Sequence, residues 1–452
     1  MWDFPLLSSN KKSFHHFRPC EFARTYDEQM ILYPPTGRMK IKQENLNDLS
    51  LIDNVIFGLN HQIKKQKPTI MNTKIRKRYL LLVLMIASVP AYSDTSVSAG
   101  ENHTCILKSD GEAYCWGDNS VGQLGNGSTK PSMIPVAVSG KLRFKTISVG
   151  WDHTCGVTVA NEAYCWGRGR YGRLGNGSSD NSTTPTAVSG GLSFESVNSG
   201  LAHTCGITTD GGAFCWGRGE DGILGNNSIE SSLVPVPVSG GLAFGSINAG
   251  SATTCGITTN GDAYCWGASD FGSLLGQGDD DRDRKIVPGL VAGEFNFEPN
   301  SISVGLDHVC AISKADEAIC WGRGRYGKLG IGSADAIGVI ENLRTPRKVK
   351  GNVSFSSITT GVFQTCGIAT DGKAYCWGRN GSGQLGDGTT TMRVEPAAVS
   401  GNVNFKSIDI GSDHTCGISS NDEVYCWGDG SAGKLGTRST ENKLNPTKVS
   451  LK

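Results

Sequence analysis

Residues 203–217 read His203-Thr-Cys-Gly-Ile-Thr-Thr-Asp-Gly-Gly-Ala-Phe-Cys-Trp-Gly217. Two short runs flank a Thr-Asp-Gly turn, which is the signature of a β-hairpin. The position six residues after the first cysteine is Gly211, and its counterparts in the other copies are Gly111, Asn161, Gly261, Asp316, Gly372 and Asp422. All tolerate the left-handed backbone that a three-residue loop closed by a bulge requires. That loop sets Cys205 directly opposite Cys215.

The same spacing recurs seven times: Cys105 with Cys115, Cys155 with Cys165, Cys205 with Cys215, Cys255 with Cys265, Cys310 with Cys320, Cys366 with Cys376, and Cys416 with Cys426. A period of about 50 residues means one supersecondary unit copied in tandem. Opposed residues on antiparallel strands bring Cα atoms to about 4.5–5.5 Å, within reach of a disulfide. A zinc site fits less well, because nine residues intervene where such sites use two to four and each hairpin offers only two sulfurs. Closing a loop this short stabilises by about 2.5 kcal/mol in the chain-entropy model.

The hairpin register also places Gly206 opposite Phe214, which suggests that the glycine leaves room for the facing ring. Neither face of the hairpin is polar, so each sheet must be packed on both sides. Seven such sheets close into an all-β, seven-bladed β-propeller with one antiparallel sheet per blade. After each tryptophan come Gly-x-Leu-Gly, as in Gly172-Arg-Leu-Gly175, a polar loop, and a Pro-x-x-Val strand such as Pro185-Thr-Ala-Val188. The first copy starts at Thr95 and the last ends at Val449, complementary cuts that suggest a blade shared between the two ends.

Composition agrees with a turn-rich β protein: 61 glycines in 452 residues, 8% aromatic and 19% charged. The net charge of +1 hides a division. The residues before 94 hold 14 basic and 7 acidic side chains, leaving 29 basic against 35 acidic in the repeats. That balance argues against nucleic acid as a partner. Residues 71–93 have the form of a secretory signal peptide: Lys74, Arg76, Lys77 and Arg78, an apolar run from Leu80 to Val89, then Ala91-Tyr-Ser93. The run is too short for a stable membrane span. On this reading residues 1–70, with the unpaired Cys20, lie upstream of the native start or are disordered, and 94–452 is the propeller. A secreted or periplasmic (bacterial) location fits the paired cysteines, since disulfides persist in oxidising compartments.

Cys-Trp-Gly-Arg/Asp followed by Gly-x-Leu-Gly, with His-Thr ahead of the first cysteine, resembles the repeat of the regulator of chromosome condensation family. The resemblance covers Asp94 to Lys452, and the paired cysteines look like its exported bacterial branch. It implies a seven-bladed propeller, but not one activity. Members include an exchange factor for the GTPase Ran, a plant ultraviolet photoreceptor and a secreted β-lactamase inhibitor, which share a scaffold that binds proteins through loops on one face.

His103, His153, His203, His308 and His414 recur, but Thr253 and Gln364 replace them in two copies, so the histidines read as structural. Trp151 stands alone at its repeat position and forms no tryptophan cluster. Asp279, Asp280, Asp281 and Asp283 lie in an insertion that lacks the glycine turn and later glutamate of a calcium loop and read as solvated. A second insertion, 334–344, reads as a flap. The loops after each tryptophan differ most. Arg168, Arg170, Tyr171, Arg218, Arg323, Arg325, Tyr326 and Arg379 are the candidate partner contacts, since arginine and tyrosine are frequent binding anchors. No nucleophile elbow, phosphate loop or metal triplet appears, so no catalytic residue, cofactor or metal is assigned. The expectation is a monomeric exported scaffold for a protein partner or a surface glycan. The alternatives are a nucleotide exchange factor for a Ran-like GTPase, whose wedge neither insertion resembles, and an enzyme with a site in the central tunnel.

Overall fold

In the computed structural model, which describes residues 95–268, 274–278, 284–332 and 342–451, each repeat forms one four-stranded antiparallel sheet from consecutive strands. The leader, Cys20, Asp279, Asp280, Asp281, Asp283 and most of the 334–344 insertion lie outside the described residues. In the third sheet Phe194–Ser199, His203–Thr208, Ala213–Gly217 and Ser232–Pro237 pair in that order. The sheets, numbered here as blades 1 to 7 in chain order, make the expected seven-bladed propeller.

The hairpin register is the expected one throughout. Cys105 faces Cys115, Cys155 faces Cys165, Cys205 faces Cys215, and Cys255 faces Cys265 in blades 1 to 4. In blades 5 to 7 Cys310 faces Cys320, Cys366 faces Cys376, and Cys416 faces Cys426. Each facing pair is a disulfide, and all fourteen half-cystines are fully buried. Their Cα atoms stand 4.0–4.2 Å apart. That is slightly closer than the separation of about 4.5–5.5 Å expected for unbridged opposed residues, so each staple draws its two strands inward. The six-residue offset from the first cysteine has positive φ in each blade, from 60° at Asp316 to 96° at Gly261.

Two expectations need correction. Gly206 does face Phe214 in the register, but the ring that uses its missing side chain is Phe194, from the neighbouring strand. A Cβ on Gly206 would stand 2.8 Å from Phe194 Cδ1, and Phe194 in turn packs on Trp216 with ring centroids 5.7 Å apart. Blade 1 has Asp94 at the phenylalanine position, and there Ile106 replaces the glycine and is fully buried. The chain thus fills one volume either with a phenylalanine from the first strand or with an isoleucine from the second. The second correction concerns the ends. Blade 1 (96–137) and blade 7 (405–448) are each complete, so they share no strand, and the cut falls between blades.

Gly-x-Leu-Gly is the joint to the next blade. The carbonyl of Arg173 accepts from Trp216 Nε1 at 3.0 Å and from Thr204 Oγ1 at 2.9 Å, both in the following blade. The closing glycine admits the indole: a Cβ on Gly175 would lie 2.7 Å from Trp216 Nε1, and its φ is +68°. At the rim each outer strand carries a proline (135, 185, 235, 288, 346, 396 and 446), which lacks the N–H that an edge-to-edge partner would need.

Candidate interaction face

The first strands line a central channel, and the turns that follow them reach its mouth with Glu101, Trp151, Leu201, Ser251, Leu306, Val362 and Ser412. The third strand of each blade ends beside the start of the second; Gly167, for example, pairs with His153. The loop after each tryptophan therefore leaves on the same face as the channel-mouth turns. All eight candidate arginines and tyrosines sit on this face, most of them half-buried.

The structure brings four of them together between blades 5 and 6. Tyr326 meets Phe363 edge-on at 5.5 Å between centroids. Arg379 lies 5.2 Å from the Phe363 centroid and 6.0 Å from that of Tyr326, while its guanidinium pairs with Asp413 at 3.1 Å. Arg325 covers Tyr326 at 4.7 Å, and Arg323 reaches Asp307 at 3.8 Å. Beneath them Lys328 is fully buried, bonded to Asp307 and to the Val362 carbonyl at 3.2 Å. Burial lowers the Lys328 pKa, and Asp307 opposes that shift. Such cation–π contacts hold the long side chains in place.

The remaining candidates stand elsewhere. Arg170 covers Tyr171 at 4.6 Å in blade 2, and Arg168 pairs with Asp152 at 3.2 Å. Burial raises the Asp152 pKa against the pull of Arg168 and Arg173. Arg218 is occupied locally by Glu220 at 2.9 Å. Phe363, Lys328 and Asp307 were missed by sequence reasoning. The signal for Phe363 was there: it is the one aromatic among Asn102, Asp152, Ala202, Ala252, Asp307, Phe363 and Asp413.

The histidines are joints between blades. His103, His153, His203, His308 and His414 each place Nε2 at 2.8–2.9 Å from a threonine hydroxyl of the next blade, and His414 closes the ring onto Thr104. Those hydroxyls donate to Gly-x-Leu-Gly carbonyls, so they accept from Nε2–H. Burial drives the histidine pKa values down, to about 4 for His103 and about 3 for His203, and keeps the rings neutral. A second girdle lines the channel. Ser98, Ser148, Asn198, Asn248, Ser303 and Asp409 each accept a backbone N–H of the next blade, at 2.7–3.0 Å. Asp409, half-buried and with its pKa raised by desolvation, makes the closing bond to Ala99. Among the described residues no three His, Cys, Asp or Glu side chains gather as a metal site would require.

Comparisons with known proteins agree with this architecture. Human E3 ubiquitin-protein ligase HERC2 is 36% identical over 97 residues, 21% of this chain and 2% of the ligase. The Arabidopsis thaliana ultraviolet-B receptor UVR8 is 31% identical over 124 residues, 27% of this chain and 26% of the receptor. The chain therefore spans only a small part of HERC2 and about a quarter of the receptor. Among solved structures, human WBSCR16 superposes with a TM-score of 0.67 at 18% identity, covering 75% of this chain and 94% of that one. Yeast RCC1 (Prp20) bound to Kap60 gives 0.67 at 19% identity, covering 80% and 86%. At these identities the superpositions speak for the fold alone. Models of the regulator of chromosome condensation (RCC1) repeat match residues 110–157, 161–207, 210–257, 316–368, 371–418 and 421–452, with further matches at 95–123 and 246–273. With every blade touched by a match, the chain belongs to the regulator of chromosome condensation (RCC1) repeat family.

Proposed function

We propose that this chain is an exported, disulfide-stapled scaffold that binds a partner protein through the channel-mouth face, without catalysis and as a monomer. The observation that carries the reading is the cluster of Arg325, Tyr326, Phe363 and Arg379, in which aromatic and guanidinium surfaces are ordered at a solvent-facing junction of two blades. Anchors of this type dominate binding energy at protein interfaces. A propeller relative, yeast Prp20p, has been described by its binding to Gsp1p and histones. What carries over is the use of the fold as a binding platform, with a different partner. Seven buried disulfides support export, because a reducing cytosol would work against them. The signal-peptide form of residues 71–93 supports the same compartment.

The test is affinity capture with the full chain beside a Tyr326→Ala, Phe363→Ala variant, with fractionation of the producing cells. A partner retained by the native chain and lost by the variant is expected, with the protein in the periplasm or medium. Equal retention by both would sink the face assignment, and a cytosolic protein with free thiols would sink the export.

A further inference from the structure

Arg170-Tyr-Gly172 and Arg325-Tyr-Gly327 are two copies of one device, set in blades 2 and 5. In each, a short 3-10 turn holds the tyrosine at φ 65°, a left-handed conformation rare for a bulky residue, and the preceding arginine lies across its ring at 4.6–4.7 Å. A stacked guanidinium keeps its N–H edge free, in the geometry that grips a carboxylate through two hydrogen bonds. Neither Arg170 nor Arg325 has a carboxylate partner among the described residues, and both are exposed. The acids nearby are engaged: Asp152 with Arg168, Asp307 with Lys328, and Asp413 with Arg379.

Three of the seven steps around the ring separate the two pairs, whose turns pack against the outer strands of blades 3 and 6, at Leu233 and Val394, so they lie on nearly opposite sides of the channel axis. Between them Trp151, Leu201, Leu306 and Val362 stand half-buried along the mouth, whose other three positions are Glu101, Ser251 and Ser412. Unpaired cations on this face also stand out against repeats that carry 35 acidic and 29 basic side chains.

The geometry points to a docking surface for an acidic segment of a partner protein with apolar residues at its centre. The apolar centre seats on Trp151, Leu201, Leu306 and Val362, and carboxylates on either side meet Arg170 and Arg325. This rests on the proposed role of the face and adds the chemistry of its partner.

The probes are two labelled, end-blocked peptides, Glu-Glu-Phe-Leu-Glu-Glu and Lys-Lys-Phe-Leu-Lys-Lys, titrated against the full chain by fluorescence anisotropy. The acidic peptide binds, more weakly as salt rises, and the basic one does not. Arg170→Gln and Arg325→Gln each weaken binding roughly tenfold, as does Trp151→Ala, whereas Lys141→Gln on the opposite face leaves it unchanged. Circular dichroism confirms that the variants are folded. Equal binding of both peptides, or no effect of the two arginine changes, overturns the proposal. So does self-association of the native chain that Arg170→Gln and Arg325→Gln abolish, because the surface would then belong to a second copy. If a captured partner depends on Tyr326 and Phe363 but the acidic peptide is ignored, this inference falls and the binding face stands. A partner indifferent to all of these changes removes both.

Discussion

The seam between blades 7 and 1, where the chain is not continuous, and the seam between blades 4 and 5, where it is, solve one packing problem by opposite means. At the 7/1 seam His414 meets Thr104 at 2.8 Å, Asp409 accepts from Ala99 N at 2.9 Å, and the Lys434 carbonyl takes both Thr104 Oγ1 and Trp116 Nε1. Lys434 itself reaches Asn102 at 3.2 Å. At the 4/5 seam the polar pair is missing. Thr253 replaces the histidine and bonds within its own blade to the Ala268 carbonyl, and Val309 replaces the threonine. Apolar packing takes over there: Val309, Ile302 and Val304 join one buried cluster that runs from Cys255 in blade 4 to Trp377 in blade 6. Val304 N to Asn248, Trp321 to the Leu274 carbonyl and Gly278 N to the Arg344 carbonyl, at 3.0, 3.2 and 3.0 Å, keep the common pattern. The 7/1 seam keeps the directional set that the continuous 1/2, 2/3, 3/4 and 5/6 seams also carry, whereas the 4/5 seam trades its His–Thr pair for apolar burial.

Acid should divide the two seams most sharply. The five neutral histidines have folded pKa values below the ordinary 6.5, so the unfolded chain binds more protons and stability falls as pH drops below about 6.5. Each contributes on the order of 1 kcal/mol per pH unit until its folded pKa is reached, at about 4 for His103. Calorimetry between pH 7 and 4 should show a steep loss of Tm, and hydrogen exchange should open the 7/1 seam before the 4/5 seam. An acid-insensitive Tm would contradict the buried neutral histidines.

Next in size is His414→Ala, which removes a buried ring and its bond across the open seam and should cost about 3 kcal/mol by denaturant unfolding. Exchange in blades 1 and 7 should rise with it. Thr253→His then tests whether the 4/5 seam lacks only a partner. Facing Val309, the new ring has no hydroxyl to meet and should destabilise by about 2 kcal/mol; adding Val309→Thr should recover part of that loss. The smallest effect is expected for Thr253→Ala, at about 1 kcal/mol or less, because its bond stays within one blade.

What sequence reading recovered was local. Ten residues separate Cys205 from Cys215, and a turn at Gly211 with φ +87° fixes their pairing without help from the rest of the chain. The same holds for Cys155 with Cys165, Cys255 with Cys265, Cys310 with Cys320, and Cys366 with Cys376. Seven repetitions then gave the blade number. The partner of Gly206 was misread because the register of the first two strands shifts between Ile207 and Thr208, setting Phe194 opposite Thr208 with its ring over Gly206, and the sequence does not announce that bulge. Lys328, Phe363 and Asp307 escaped notice for a related reason: Lys328 and Phe363 meet only because blades 5 and 6 are packed, 35 residues apart in sequence. The completeness of blades 1 and 7 was equally hidden, since a period says where units repeat and not where the ring is cut.

Peptide mapping of the purified protein under non-reducing and reducing conditions tests the central claim most directly. The account predicts seven cross-links, each joining cysteines ten residues apart within one blade, from Cys105 with Cys115 to Cys416 with Cys426. Free thiols at most of the fourteen positions, or bridges between blades, would contradict it.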